Sequence, residues 1–184
     1  MSGAVDVARY ILDQREARGH MTTTFALQKL LYYCQSWNLV GNDEPLFDDV
    51  IEAWEHGPVV RSVAPYCSGR HFIFAREIPC GRPDEIPTRD KLLVDKVLEL
   101  YEGTDDACLG DDLEAMSHAE RPWADARKAE DRTISTRSML EYYSSIQADP
   151  TIEHDAPIPS IAEVSKRTFV TEDDMAWLVG LLAS

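Results

Sequence analysis

The sequence predicts a mainly α protein: a compact multi-helix domain around one central buried helix, with a short strand or hairpin. Three observations predict it. Residues 24–37 carry apolar side chains around more than half of a helical circumference, with Ala26, Leu27, Leu30, Leu31, Cys34 and Trp37 on one broad arc. Helix start signals, either a capping hydroxyl or an early proline, precede most of the other apolar segments. Hydrophobic residues make up 44% of the 184, enough for one well-buried domain rather than a disordered chain.

The elements follow in chain order. Residues 4–18 read as an amphipathic helix with Ala4, Val7, Ala8, Ile11 and Leu12 on one face, ended by Arg18-Gly19-His20. Thr22 to Thr24 offer N-caps for the central helix, which should stop by Gly41-Asn42. Each large side chain buried there contributes roughly 1.5–3 kcal/mol. Residues 50–54 alternate and read as extended, with a short helix as the competing reading. Pro58 suits the first turn of a helix over residues 58–66, which Pro65 would strain and Ser68-Gly69 would stop. Residues 71–87, with Pro79, Gly81, Pro83 and Pro87, read as loop with a strand at 71–74.

Thr88 can cap a helix to Tyr101 whose face is Leu93, Val97, Leu100 and Tyr101. Residues 105–116 form an acidic helix in which Asp105, Asp106, Asp111 and Asp112 interact favourably with the N-terminus or face water. Pro122 opens a further helix, with Trp123 as a core anchor, and Ser135 precedes the apolar Met139, Leu140, Tyr142 and Tyr143. On this reading residues 1–146 form the domain, 147–160 a proline-containing linker, and 161–184 a C-terminal helical extension. The extension carries capping-box patterns at Ser160/Glu163 and Thr171/Asp174, and a Met175, Leu178, Val179, Leu182 stripe. That stripe needs a surface to cover, on its own domain or on a partner.

Net charge is −15, with 9 acidic and 6 basic residues in 1–75 against 24 and 12 in 76–184. This argues against a nucleic-acid binder, whose footprint would be basic. It favours solubility and a basic protein partner. No apolar run reaches the roughly 20 residues of a membrane span, and no signal-peptide pattern opens the chain, so a cytoplasmic location is expected. The four cysteines include no C-x-x-C pair and are expected reduced. Cys67, His71 and Cys80 lack an obvious fourth metal ligand, so no metal or other cofactor is expected.

Phosphate-binding, dinucleotide-binding, nucleophile-elbow and zinc-protease signatures are all missing. An acid/base pair from His56 with Glu52 or Glu55 would lack a nucleophile, and neighbours on one element rarely face each other. No residue is therefore assigned a catalytic role.

Four blocks carry a resemblance: Val7-Ala8-Arg9-Tyr10-Ile11-Leu12; Leu27-Gln28-Lys29-Leu30-Leu31-Tyr32-Tyr33; Pro45-Leu46-Phe47; and Glu52-Ala53-Trp54-Glu55-His56-Gly57-Pro58-Val59-Val60. In order and spacing they resemble the Panacea antitoxin domain, a family that includes SocA-like proteolytic adaptors and GepA-like phage-associated proteins. The resemblance covers about residues 4–145, including Arg121-Pro122-Trp123 and the 134–143 segment. Two departures stand out. Arg61 and Ala64 occupy the stretch where many members carry proline and tyrosine, with Tyr66 displaced, and His56 stands where a tyrosine often precedes Gly-Pro.

The resemblance implies an antitoxin that binds and neutralises a toxin encoded beside it and, in the SocA-like version, delivers it to the ClpXP protease. The candidate contact surface is the polar arc Gln28, Lys29, Tyr32 and Gln35 with the turn residues Trp54, His56, Gly57 and Pro58. Two other readings stand beside it: Gln28 and Lys29 hold the Gly57-Pro58 loop, and Trp54 belongs to the core. The alternative function is a phage- or mobile-element-associated interaction module without a toxin; a small hydrolase using His56 is the reading from another class.

Overall fold

The computed structural model describes residues 3–103, 105–149 and 151–160. Helices dominate them: α1 (Ala4–Ala17), α2 (Thr24–Asn42), α3 (Ala64–Cys67), α4 (Thr88–Tyr101), α5 (Leu109–His118), α6 (Arg121–Ala126) and α7 (Thr136–Ala148). Two antiparallel ribbons accompany them. One pairs β1 (Thr22–Thr23) with β4 (Phe72–Ile73), and the other pairs β2 (Ile51–Trp54) with β3 (Gly57–Val60). The mainly α expectation holds. The expected capping box of Ser160 with Glu163, that of Thr171 with Asp174, and the stripe ending at Leu182 lie, but for Ser160 itself, outside the described residues.

The centre of the domain is α2, which packs against α1, α4, α5, α7 and β3. Thr23 caps it by accepting the Ala26 N–H at 3.1 Å, and the αL conformation of Asp43 (φ 58°) ends it. Its apolar arc is fully buried, and so is most of the arc that the sequence marks as polar. Neighbouring elements satisfy Gln28, Tyr32 and Gln35 individually. Gln35 Oε1 accepts the N–H of Leu46 at 2.8 Å while its Nε2 donates to Phe47 O at 2.9 Å. Tyr32, Tyr33 and Tyr143 donate to the carboxylate of Glu120 at 2.9, 3.1 and 2.6 Å. Burial pushes the Glu120 pKa up to about 7, even though the tyrosine hydrogen bonds favour the ionised form.

The helix expected over residues 58–66 is instead strand β3 followed by the single turn α3. Proline is compatible with both settings, and the pairing chooses between them. Ala53 N–H donates to Arg132 O, and Ile51 O accepts from Ile134 N, both at 2.8 Å. Residues 51 and 53 therefore turn their polar backbone away from β3. Pro58, opposite Ala53, sits on the outer edge of β3, where the ladder asks for no N–H. Gly57 makes the turn possible with φ +95°.

Other differences are local. Pro87 occupies the cap position of α4, leaving Thr88 as its first residue, and Leu100 is 42% exposed while Val94 and Leu98 are buried. Trp123 is half-buried, stacked on His118 at 3.9 Å, rather than a central anchor. Asp105 and Asp106 precede α5, and Asp106 binds the Arg15 guanidinium at 2.8 Å. Residues 151–160 lie against the domain: Ala156 is buried, and Pro157 O accepts the Tyr101 hydroxyl at 2.7 Å.

Candidate functional site

The first turns of α2, the β2–β3 hairpin and the segment that follows α3 enclose a groove of about 540 Å³ lined by Phe25, Gln28, Lys29, Trp54, His56 and Arg70 among others. Each side chain arrives for a local reason. Phe25 lies on the first turn of α2 in the middle of the polar arc, so helix geometry aims it away from the core; it is 45% exposed. Trp54 ends β2, whose alternation turns Ile51 and Ala53 inward and leaves Trp54 45% exposed. The Trp54 indole N–H donates to Glu52 at 2.8 Å, and its carbonyl accepts the Trp123 indole N–H at 3.1 Å.

His56 occupies the hairpin turn with its side chain 63% exposed. The ring stacks on Phe25 at 5.7 Å, and its Nδ1 lies 3.2 Å from Glu114 on α5. Its acidic neighbour is thus Glu114, not the Glu52 or Glu55 that sequence proximity suggests. On the opposite rim, Arg70 is exposed and bonds Glu77 at 3.1 Å.

The floor is Gln28 and Lys29. Both ends of the Gln28 amide are used: Oε1 accepts the Val60 N–H at 2.7 Å, and Nε2 donates to Cys67 Sγ at 3.6 Å. Burial raises the Cys67 pKa. Lys29 is 1% exposed and its ammonium lies 5.2 Å from the Phe25 ring centroid. Its stem fills the space beside Gly57, where an added Cβ would come within 2.7 Å of Lys29 Cε. Burial draws the Lys29 pKa down to about 8, against the fields of Glu114, Cys67 and Asp111, which raise it.

Of the eight residues marked from the sequence, the groove brings together Gln28, Lys29, Trp54 and His56. Gly57 and Pro58 are buried in β3 beneath it. Tyr32 and Gln35 do not line the groove; their polar atoms are taken up inside the domain, by Glu120 and by the backbone of Leu46 and Phe47. Trp54, for which the core was the other reading, is 45% exposed at the surface. Sequence reasoning missed Phe25 and Arg70. The signal for Phe25 was available, because a large aromatic inside an otherwise polar arc is out of place on a buried helix. Nothing local marked Arg70, which reaches the site through the β1–β4 pairing and the Thr24–Arg70 hydrogen bond at 3.2 Å.

Among the described residues, no cluster of His, Cys, Asp and Glu could hold a metal ion. Cys67 contacts Gln28, and Cys80 lies 2.8 Å from the Tyr66 hydroxyl. No helix among them is long and apolar enough to cross a membrane.

A family model described as antitoxin SocA-like, Panacea domain, matches residues 27–124. That span holds the floor of the groove, the hairpin and Glu120. Antitoxin SocA of Caulobacter vibrioides (strain NA1000 / CB15N) is 42% identical over 53 residues, covering 29% of this chain and 28% of that protein. The similarity therefore spans little more than a quarter of that relative's length. No solved structure matches the chain.

Proposed function

This chain belongs to the antitoxin SocA-like, Panacea domain family, and from that premise we propose that it neutralises a protein toxin by binding it directly at the Phe25–Trp54 groove. One observation carries the reading: two large aromatics, each 45% exposed, rim the same groove of about 540 Å³. Exposed aromatics beside a preorganised concave surface are the usual anchors of protein interfaces. The rim is held in place by hydrogen bonds, a buried one from Val60 N–H to Gln28 and an exposed one from the Trp123 indole to the Trp54 carbonyl. A partner would therefore meet it with little ordering cost.

The partner is expected to be the product of an adjacent gene, and neutralisation to need binding rather than catalysis. Delivery to the ClpXP protease is the finer form of the same proposal. The experiment is a growth assay with the neighbouring gene expressed alone and together with this protein, followed by co-purification. Toxicity alone, rescue together and a stable complex support direct neutralisation. Rescue lost in cells without ClpX supports the adaptor form. A harmless neighbour, or failure to rescue, would sink the antitoxin reading and leave an interaction module of the family fold.

A further inference from the structure

We infer that the groove receives an extended partner segment whose carboxylate, flanked by apolar side chains, reaches down to the Lys29 ammonium. This rests on the binding role proposed above for the same groove and names the chemistry that fills it. Lys29 lines the groove at 1% exposure, and among the described residues no carboxylate forms an ion pair with it. The nearby acids are turned elsewhere. Glu114 Oε1 lies 3.2 Å from His56 Nδ1 and 3.9 Å from His118 Nε2, and Asp111 faces solvent. The ammonium lies over the Phe25 ring and beside Gly57.

A buried cation without a counter-ion is unfavourable, and an incoming carboxylate relieves that penalty while making a charge-assisted hydrogen bond. The apolar flanks follow from Phe25, Trp54, Val59 and Ala64, which line the walls. Charge complementarity points the same way. The chain carries a net −15, yet this lining holds Lys29 and Arg70, the latter paired with Glu77, against the single carboxylate Glu55. On the other side of Trp54, a recess of about 370 Å³ is lined by Glu52, Glu55, Glu130 and Asp131, with Arg132 as its single cation. An acidic segment is thus admitted on one side of the Trp54 indole and repelled on the other.

The test is selection from a displayed library of random peptides on the full chain and on Lys29→Met, which keeps the length of the stem and drops the charge. Enriched peptides are expected to carry Asp or Glu between apolar residues. Converting that residue to its amide should weaken binding to the wild-type chain roughly ten-fold or more. Lys29→Met should lose these peptides while its melting temperature stays equal or rises, because a buried charge has been removed. Enrichment of peptides without acids, unchanged affinity after amide replacement, equal capture by Lys29→Met, or no enrichment at all would each overturn the inference. Should Lys29→Met fail to fold, the amide replacement on the wild-type chain decides. A neighbouring-gene product that is harmless and does not co-purify removes the antitoxin reading while the peptide result stands. Co-purification undiminished by Lys29→Met removes this inference and leaves that reading intact.

Discussion

The side-chain carbonyl of Gln28 accepts the backbone N–H of Val60 at 2.7 Å, tying the outer edge of the β2–β3 hairpin to the central helix. Val60 is fully buried, so this N–H has no water to fall back on. The bond does for β3 what another strand would do: it satisfies an edge that faces the interior.

Gln28→Leu should therefore destabilise the fold by about 1–3 kcal/mol, the cost of an orphaned buried donor. Urea denaturation measures it. A loss below about 0.5 kcal/mol would show that the hairpin is held by other contacts.

Glu120 sets a pH dependence whose sign is opposite to that of most carboxylates. Its pKa is raised to about 7 in the folded state from an ordinary value of 4.5. The folded state therefore holds the proton more tightly than the unfolded chain. The stability this group contributes is full below about pH 4.5 and is lost as pH rises through about 7. Wild type minus Glu120→Gln should fall between pH 4.5 and 8 by an amount on the order of 3 kcal/mol. Parallel pH–stability curves for the two proteins would refute Glu120 as the group that titrates in this window.

Arg15 is fully buried and reaches Asp106 at 2.8 Å, Thr22 Oγ1 at 3.0 Å and Met21 O at 3.1 Å. Asp106 also accepts the Met21 N–H at 2.8 Å. Asp106→Asn should cost on the order of 3 kcal/mol, because it leaves a buried guanidinium without its counter-ion. Thermal melting checks this, and a loss under about 1 kcal/mol would mean that the contacts to the Thr22 hydroxyl and the Met21 carbonyl suffice.

Phe25→Ala and Trp54→Ala should separate binding from folding. Both side chains are 45% exposed, so each change should shift stability by only about 0.5–1 kcal/mol. Toxin affinity should fall roughly ten-fold or more for at least one of them, as expected for an interface anchor. Calorimetric titration of the purified pair, beside melting curves, gives both numbers. Full affinity in both variants would move the toxin contact away from this groove.

Locally encoded features were legible in the chain. The span of α1, the cap of α2 at Thr23, its end near Asn42 and the Ser135 cap of α7 all rest on helical periodicity and hydrogen bonds three or four residues apart. The hairpin was not legible in the same way. Pro58 lacks an N–H that neither a helix start nor a strand edge requires, so its local chemistry permits both. The choice fell to residues 132–134, which take up the other edge of β2, and to Gln28, which meets Val60.

By itself, then, the sequence determined where most of the helices run, the 58–66 segment excepted, which helix is central, and the motif blocks by which the chain resembles its family. Only the tertiary structure decided which polar residues are surface and which are interior. Tyr32 finds the Glu120 carboxylate 88 residues away, and Gln35 finds the backbone at Leu46 and Phe47, so both are closed off. Lys29 finds no carboxylate among the described residues and is left at the floor of a groove. A polar side chain on a helix shows only that it needs partners, and long-range packing decides whether those partners are protein, water or another chain.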